Sequence, residues 1–166
     1  MKLSNTQSIC CFFLLSAVLV IFDQLSKHYI TANFTYGVPQ QILSWLNFTW
    51  INNTGAAFSF LADMGGWQRW FLSGVSIIAS IALGVWLVVT PSQQWLLRLT
   101  IALILGGAFG NLIDRVMLGF VVDFISVHYD KKYYFATFNI ADSAISIGVV
   151  LLLIDMIRQA KQHHNS

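Results

Sequence analysis

Glutamate is absent from this sequence. All the acidic side chains are aspartates, and charged residues of either sign make up only 10% of the 166 residues, against 57% hydrophobic. A soluble domain carries about a quarter charged residues, and a chain this short leaves much of its surface exposed however it folds. A bilayer acting as solvent accommodates such a composition, so the chain reads as a membrane protein. Cysteine is scarce too. Cys10 and Cys11 are adjacent in an apolar stretch and have no third partner; neighbouring cysteines make a poor disulfide, and these two read as buried small hydrophobes. The net charge of +2, without a long basic run, gives no ground for nucleic acid as a partner. No H-E-x-x-H, C-x-x-C or G-x-S-x-G pattern occurs, and no Ser-Lys pair stands at a helix start. Of the histidines, His28, His163 and His164 have ordinary polar or tail settings, and His128 reads as alone in its loop. Neither a metal nor another cofactor is expected.

What is present is long apolar runs. A spanning helix needs about 20 mostly apolar residues. Leu3 to Phe22, Trp70 to Leu97 and Leu99 to Ile113 carry no charge, and Ser143 to Ile154 is a shorter run extended on both sides. They predict four spans, approximately 9–30, 68–90, 95–115 and 138–158, in a single membrane domain covering 1–166, with both termini on one side. Met1-Lys2 before an apolar run resembles a signal peptide, but no small-residue cleavage pattern follows, so the first span is expected to be retained. Spans two and three are joined by a tight turn around Pro91. The longer connections, Asn33 to Gly66 and Leu118 to Thr137, contain strand-like segments at Thr49–Ile51 and Gly119–Ile125. Both fall on the face opposite the termini. Lysine and arginine are shared between the two faces (Arg98, Arg158 and Lys161 on one, Lys27, Arg69 and Arg115 on the other), so the positive-inside rule leaves the orientation open.

Polar residues at the ends of these apolar runs carry the functional signal, because ionisable groups at membrane depth are costly and usually face a cavity or a partner. Asp23 and Lys27 are spaced i, i+4 and can pair on one helical face. Asn111, Asp114 and Arg115 lie within one turn at the end of span three, where Asp114 and Arg115 also suit simple closure of a helix. Asn139, Asp142, Ser143 and Ser146 form a polar stripe where span four begins, and a charge there is favoured by the helix N-terminus alone. Asp123, flanked by Val122 and Phe124, has the weakest structural explanation, since a carboxylate in an apolar strand is expensive unless something uses it. Asp63 and Asp130 read as solvated loop charges. Gly106, Gly107 and Gly110 suit close helix packing, or admission of an extended peptide.

At these residues the chain resembles the lipoprotein signal peptidase (signal peptidase II) family over nearly its whole length. Asp23-Gln24-Leu25-Ser26-Lys27 is similar to D-x-x-[ST]-K, Asn53-Thr54-Gly55-Ala56-Ala57-Phe58 to N-x-G-A-A-F, and Gly106 to Arg115 to G-G-A-x-G-N-x-x-D-R. Gly119 to Ile125 is similar to G-x-V-x-D-F-I, and Phe138 to Asp142 to F-N-x-A-D. The resemblance implies four transmembrane helices with cytoplasmic termini, a small extracytoplasmic β-structure and a short lid-like helix. It implies an inner-membrane aspartic endopeptidase that cuts diacylglyceryl-modified prolipoproteins before the lipidated cysteine. Asp123 and Asp142 are then the catalytic pair. Asp23, Lys27, Asn53, Gly55, Asn111, Asp114, Arg115 and Asn139 are supporting or substrate-binding residues, and membrane lipids are the surroundings of a monomer. A proton-coupled transporter or channel subunit using Asp23, Asp123 and Asp142 is the alternative; a relay, however, wants acids at several depths, and these cluster at one face.

Overall fold

The computed structural model describes residues 4–55, 66–130 and 133–164. Four helices dominate it: α1 (Asn5–Asn33), α2 (Trp67–Val89), α3 (Trp95–Met117) and α4 (Ile140–His164). Each contains a stretch long and apolar enough to cross a membrane; 23 residues of helix span about 35 Å. The expected spans sit inside or close to these bounds, with α1 and α4 longer than composition suggested because their polar ends remain helical. Helix α1 starts at a capping box, in which Ser4 Oγ accepts from the Gln7 amide at 3.2 Å and Gln7 Oε1 accepts from the Ser4 amide at 2.9 Å. Helix α2 stops at Thr90, whose extended backbone (φ −67, ψ 128) is what the following Pro91 favours.

Helix α3 is central. Of its most apolar window 67% is buried in protein, against 11% for α1 and 17% each for α2 and α4, so the other three lean on α3 and turn most of their surface to lipid. That corrects the reading of Cys10 and Cys11, which are exposed on α1. In a membrane helix an apolar side chain is as well accommodated by lipid as by protein, so hydrophobicity does not imply a protein neighbour. Arg98, by contrast, is fully buried. It donates to Ser8 Oγ at 2.7 Å and Asn5 Oδ1 at 2.6 Å and to the Thr90 carbonyl, tying the start of α1 to the α2–α3 turn.

Glycine sets how closely α4 approaches α3. A Cβ on Gly107 would run into the Ala141 carbonyl oxygen, and one on Gly110 would sit 2.7 Å from Asp23 Oδ2; all three of Gly106, Gly107 and Gly110 face a neighbouring helix, as the packing reading expects. The obstruction at Gly107 is backbone and cannot turn aside. Gly107→Val is therefore expected to lower the yield of monodisperse protein and the apparent Tm sharply, beyond the 1–3 kcal/mol or so of ordinary overpacking; thermal unfolding in detergent measures it.

The loops build one antiparallel sheet in the order β1 (Gln40–Leu43), β2 (Leu46–Asn53), β3 (Val121–Tyr129), β4 (Tyr133–Tyr134). Both expected strand segments overlap it, in β2 and β3. Strand β3 is longer than the apolar pattern suggested and includes His128, which is buried against Tyr134 (centroids 5.1 Å) with Nε2 3.3 Å from Asn47 Oδ1; it is a packed strand residue and not an isolated loop histidine. Asp63, expected to be a solvated charge, lies outside the described residues, and the described residues include no short helix beside α1–α4. Asp130 is exposed in the turn after β3, as expected, with a left-handed backbone (φ 53).

Candidate active site

Lys27 is a buried anchor of the polar face. Only 3% exposed, its ammonium lies 2.7 Å from Asp23 Oδ2, one turn earlier on α1, and 3.0 Å from Asp114 Oδ2 on α3. It also donates to Asn111 Oδ1 at 2.9 Å. Three acceptors match the three hydrogens of an ammonium. Each carboxylate has a second task. Asp23 Oδ1 accepts from the Ala141 amide at 2.9 Å, satisfying a donor that the first turn of α4 leaves unpaired. Asp114 Oδ2 accepts from the Val122 amide at 3.0 Å, which fixes the start of β3. One cation thus joins α1, α3, α4 and the sheet.

Asn139 caps α4. Its Oδ1 accepts from the Asp142 amide at 2.9 Å, and Asp142 Oδ2 accepts from the Asn139 amide at 3.3 Å, a reciprocal cap. With its Oδ1 so engaged, the Asn139 Nδ2 points the other way, donating to Asp123 Oδ1 at 2.7 Å and to Asn111 Oδ1 at 3.1 Å. Asn111 Nδ2 in turn donates to Asp142 Oδ1 at 2.7 Å. Asp123 arrives from β3, which is held against the entry to α4 by a backbone clasp: the Ile125 amide donates to the Phe138 carbonyl at 2.7 Å and the Phe138 amide to the Ile125 carbonyl at 3.1 Å. From β2, Asn53 Nδ2 donates to Asp123 Oδ2 at 3.0 Å, while its Oδ1 accepts from the Gly55 amide at 3.0 Å. Arg115 Nη2 closes the circuit on the Gly55 carbonyl at 3.2 Å.

Burial first, and the neighbouring charge of Asp142 second, push the Asp123 carboxyl up to about 7; hydrogen bonds from Asn53 and Asn139 and the charge of Lys27 oppose the shift. Asp123 and Asp142 line a cavity of about 570 Å³ whose other walls are largely apolar, among them Val75 and Ala79 of α2 and Ile145 of α4. A carboxyl held near neutrality can exchange a proton with a bound group, and an apolar wall accepts a hydrocarbon or a helical peptide.

All ten site residues read from the sequence fall in this one network. Two contributors escaped that reading. Gln24 Nε2 donates to Asp114 Oδ1 at 2.8 Å and to the Gly110 carbonyl at 3.1 Å; its place inside the Asp23–Lys27 segment was the available signal. Arg69 donates to the carbonyls of Arg115 and Val116 at 2.8 and 2.6 Å, capping the end of α3, and lies over the Trp70 ring. An arginine at the start of an apolar run announces no partner, so nothing local marked it.

The sequence model of the family described as Signal peptidase (SPase) II matches residues 15–158. A lipoprotein signal peptidase of Acinetobacter baumannii is 49% identical over 148 residues, 89% of this chain and 84% of the relative. One of Shewanella woodyi is 49% identical over 140 residues, 84% and 79% of the two chains. A solved structure described as a bacterial membrane enzyme, determined by the in meso method at 2.3 Å resolution, superposes with a TM-score of 0.82 at 34% identity, covering 92% of this chain and 90% of the other. With the match spanning all four helices and the network between them, the chain belongs to the signal peptidase II family.

Proposed function

We propose that this protein removes the signal peptides of diacylglyceryl-modified prolipoproteins, hydrolysing the peptide bond before the lipidated cysteine with Asp123 and Asp142 as a catalytic pair. The observation that carries the residue assignment is the bridge through Asn139, which hydrogen-bonds both carboxylates in a cavity with apolar walls. Two carboxyls so coupled titrate as a unit and share a proton. The ionised member accepts a proton from water as the oxygen attacks the scissile carbonyl. The protonated member donates to the carbonyl oxygen, where negative charge develops, and the proton taken from water passes to the leaving amine. Asn53, Asn111 and Asn139 hold the carboxylates in place for those transfers. Arg115, anchored on Gly55, positions the backbone beside them.

The family is a bacterial membrane family, and nothing in the match supports the transport alternative. We infer that the whole chain is one peptidase domain, monomeric in the bilayer, with cytoplasmic termini and the dyad near the extracytoplasmic face. A lipidated cysteine and an apolar signal helix are both confined to the bilayer, so substrate enters laterally. Reporters fused after Ser166 should then signal from the cytoplasm, and reporters in the loop 33–66 from outside; a C-terminal reporter that signals from outside rejects this topology.

Purified protein incubated with a lipidated prolipoprotein tests the activity. Product should form without added metal or an energy source, and chelators, serine-directed and thiol-directed reagents should leave the rate intact. Loss of turnover with a chelator would replace the two-carboxylate mechanism with a metal-assisted one.

A further inference from the structure

We propose that the hairpin of β1 and β2 is a lipid-docking surface that lies in the headgroup boundary of the leaflet from which α1 emerges. The first observation is chemical. From His28 to Ala62 the sequence contains no aspartate, glutamate, lysine or arginine, although the sheet lies outside the four candidate spans. A water-facing segment of that length would ordinarily have about a quarter charged residues. In their place the hairpin and the turn before it expose Tyr36, Val38, Ile42, Leu43 and Trp45, each between 47% and 54% exposed. Apolar exposure gathered on one short hairpin suits an interaction surface, and tyrosine and tryptophan are the residues that favour the membrane–water boundary.

The second observation is continuity with α1. The chain leaves α1 at Asn33 and begins β1 at Gln40. The intervening six residues reach at most about 20 Å when extended, and they are not extended. A turn closes between the Val38 amide and the Thr35 carbonyl at 3.1 Å, with Gly37 in the left-handed region (φ +73) and its amide on the Trp50 carbonyl at 2.9 Å. A file of rings runs from the last turns of α1 into the sheet: Tyr29 to Phe34 at 6.3 Å, Phe34 to Phe48 at 6.3 Å and Phe48 to Phe124 at 5.7 Å. The hairpin is therefore held beside the C-terminal end of α1, the end of a candidate span.

The third observation is the edge. Strand β1 is the outer strand of the sheet, and all four of its residues are exposed. An uncharged edge strand in water invites pairing with another chain, and water-exposed edges are usually blunted with charge. In the headgroup layer the unpaired amides and carbonyls keep water and polar lipid groups as partners, while Ile42, Leu43 and Trp45 reach the acyl boundary, a seating about 5–10 Å deep for other interfacial elements. A soluble protein partner is disfavoured by the lack of any charge to steer or specify it. Seating the hairpin this way would hold β2, and with it Asn53, at constant height over the carboxylates.

The test reads position and is independent of peptidase activity. Full-length protein in a Cys10→Ala, Cys11→Ala background is labelled with a nitroxide at Val38→Cys, Ile42→Cys or Trp45→Cys and placed, one copy per disc, in phosphatidylethanolamine–phosphatidylglycerol nanodiscs. Accessibility to oxygen should exceed accessibility to an aqueous nickel chelate severalfold at the hairpin sites, with the reverse at Gln93→Cys in the α2–α3 turn. Adding Ile42→Glu and Leu43→Glu should move the label at 45 into water while leaving the apparent Tm unchanged. Hairpin labels as open to the chelate as position 93 overturn the proposal, and so does shielding that appears only with two copies per disc, since the occupant would then be a second chain. Three label sites keep the experiment decisive if one variant fails to fold.

Discussion

Asp123→Asn and Asp142→Asn are each expected to abolish prolipoprotein cleavage while inserting into the membrane at the parental level. Asparagine keeps the shape of the side chain but cannot exchange the catalytic proton. On the proposed mechanism the two carboxyls act through one shared proton, so the double variant should be little worse than either single one, the behaviour of groups that work as a unit. Asp63→Asn and Asp130→Asn are controls and should turn over normally. Stability gives a second readout. The Asp123 carboxyl is held at about 7 against an ordinary value of 3.8, chiefly by burial. Between those values the folded protein binds a proton that the unfolded chain has released, so this group's contribution falls as pH rises from about 4 to about 7. Asp123→Asn removes the titration. Its apparent Tm relative to the parent should therefore rise over that interval, although one amide of Asn53 or Asn139 then faces a donor and offsets part of the gain. A variant that is inactive yet gains relative stability with pH marks a residue kept at the expense of the fold. Substantial turnover by either single variant rejects the pair.

The helices were legible because a bilayer demands long uninterrupted apolar runs, and Pro91 and the charged pairs at Asp23, Asp114 and Arg115 punctuate them. Site membership was legible for a related reason: each of Asp23, Lys27, Asn111, Asp114, Asp123 and Asp142 is a polar group in an apolar setting, and such groups find each other in the fold. What the sequence did not show is who pairs with whom. Nothing local says that Asp23 caps α4 through Ala141, or that Asp114 holds Val122, because both contacts join segments distant in the chain. The exposure of Cys10 and Cys11 was misjudged for a physical reason. In lipid the distinction between apolar and buried disappears, and only small residues such as Gly107, or polar ones such as Ser16 with its hydrogen bond to the Ala102 carbonyl at 2.8 Å, report which helix face meets protein.

Lys27→Met should have the largest effect on folding of any single substitution outside the backbone contacts of α3. The methionine fills much the same volume, but Asp23 and Asp114 are left as buried carboxylates without their cation. Breaking a buried pair by deleting one partner costs about 3–5 kcal/mol, which for a chain of this size is an apparent Tm shift on the order of 10 °C. Folded yield should drop accordingly. In the fraction that does fold, turnover should fall as well, because Lys27 holds Asn111 Oδ1 and so keeps the other end of that amide aimed at Asp142. Neutralising the stranded acids separates the two roles. Adding Asp23→Asn and Asp114→Asn to Lys27→Met should recover much of the lost stability, since a neutral set no longer strands a charge. It should recover less of the activity, since Asn111 Oδ1 has lost its charged donor and keeps only the Asn139 amide. If Lys27→Met keeps parental stability and loses only turnover, Lys27 acts on the substrate and not as the anchor of the helices.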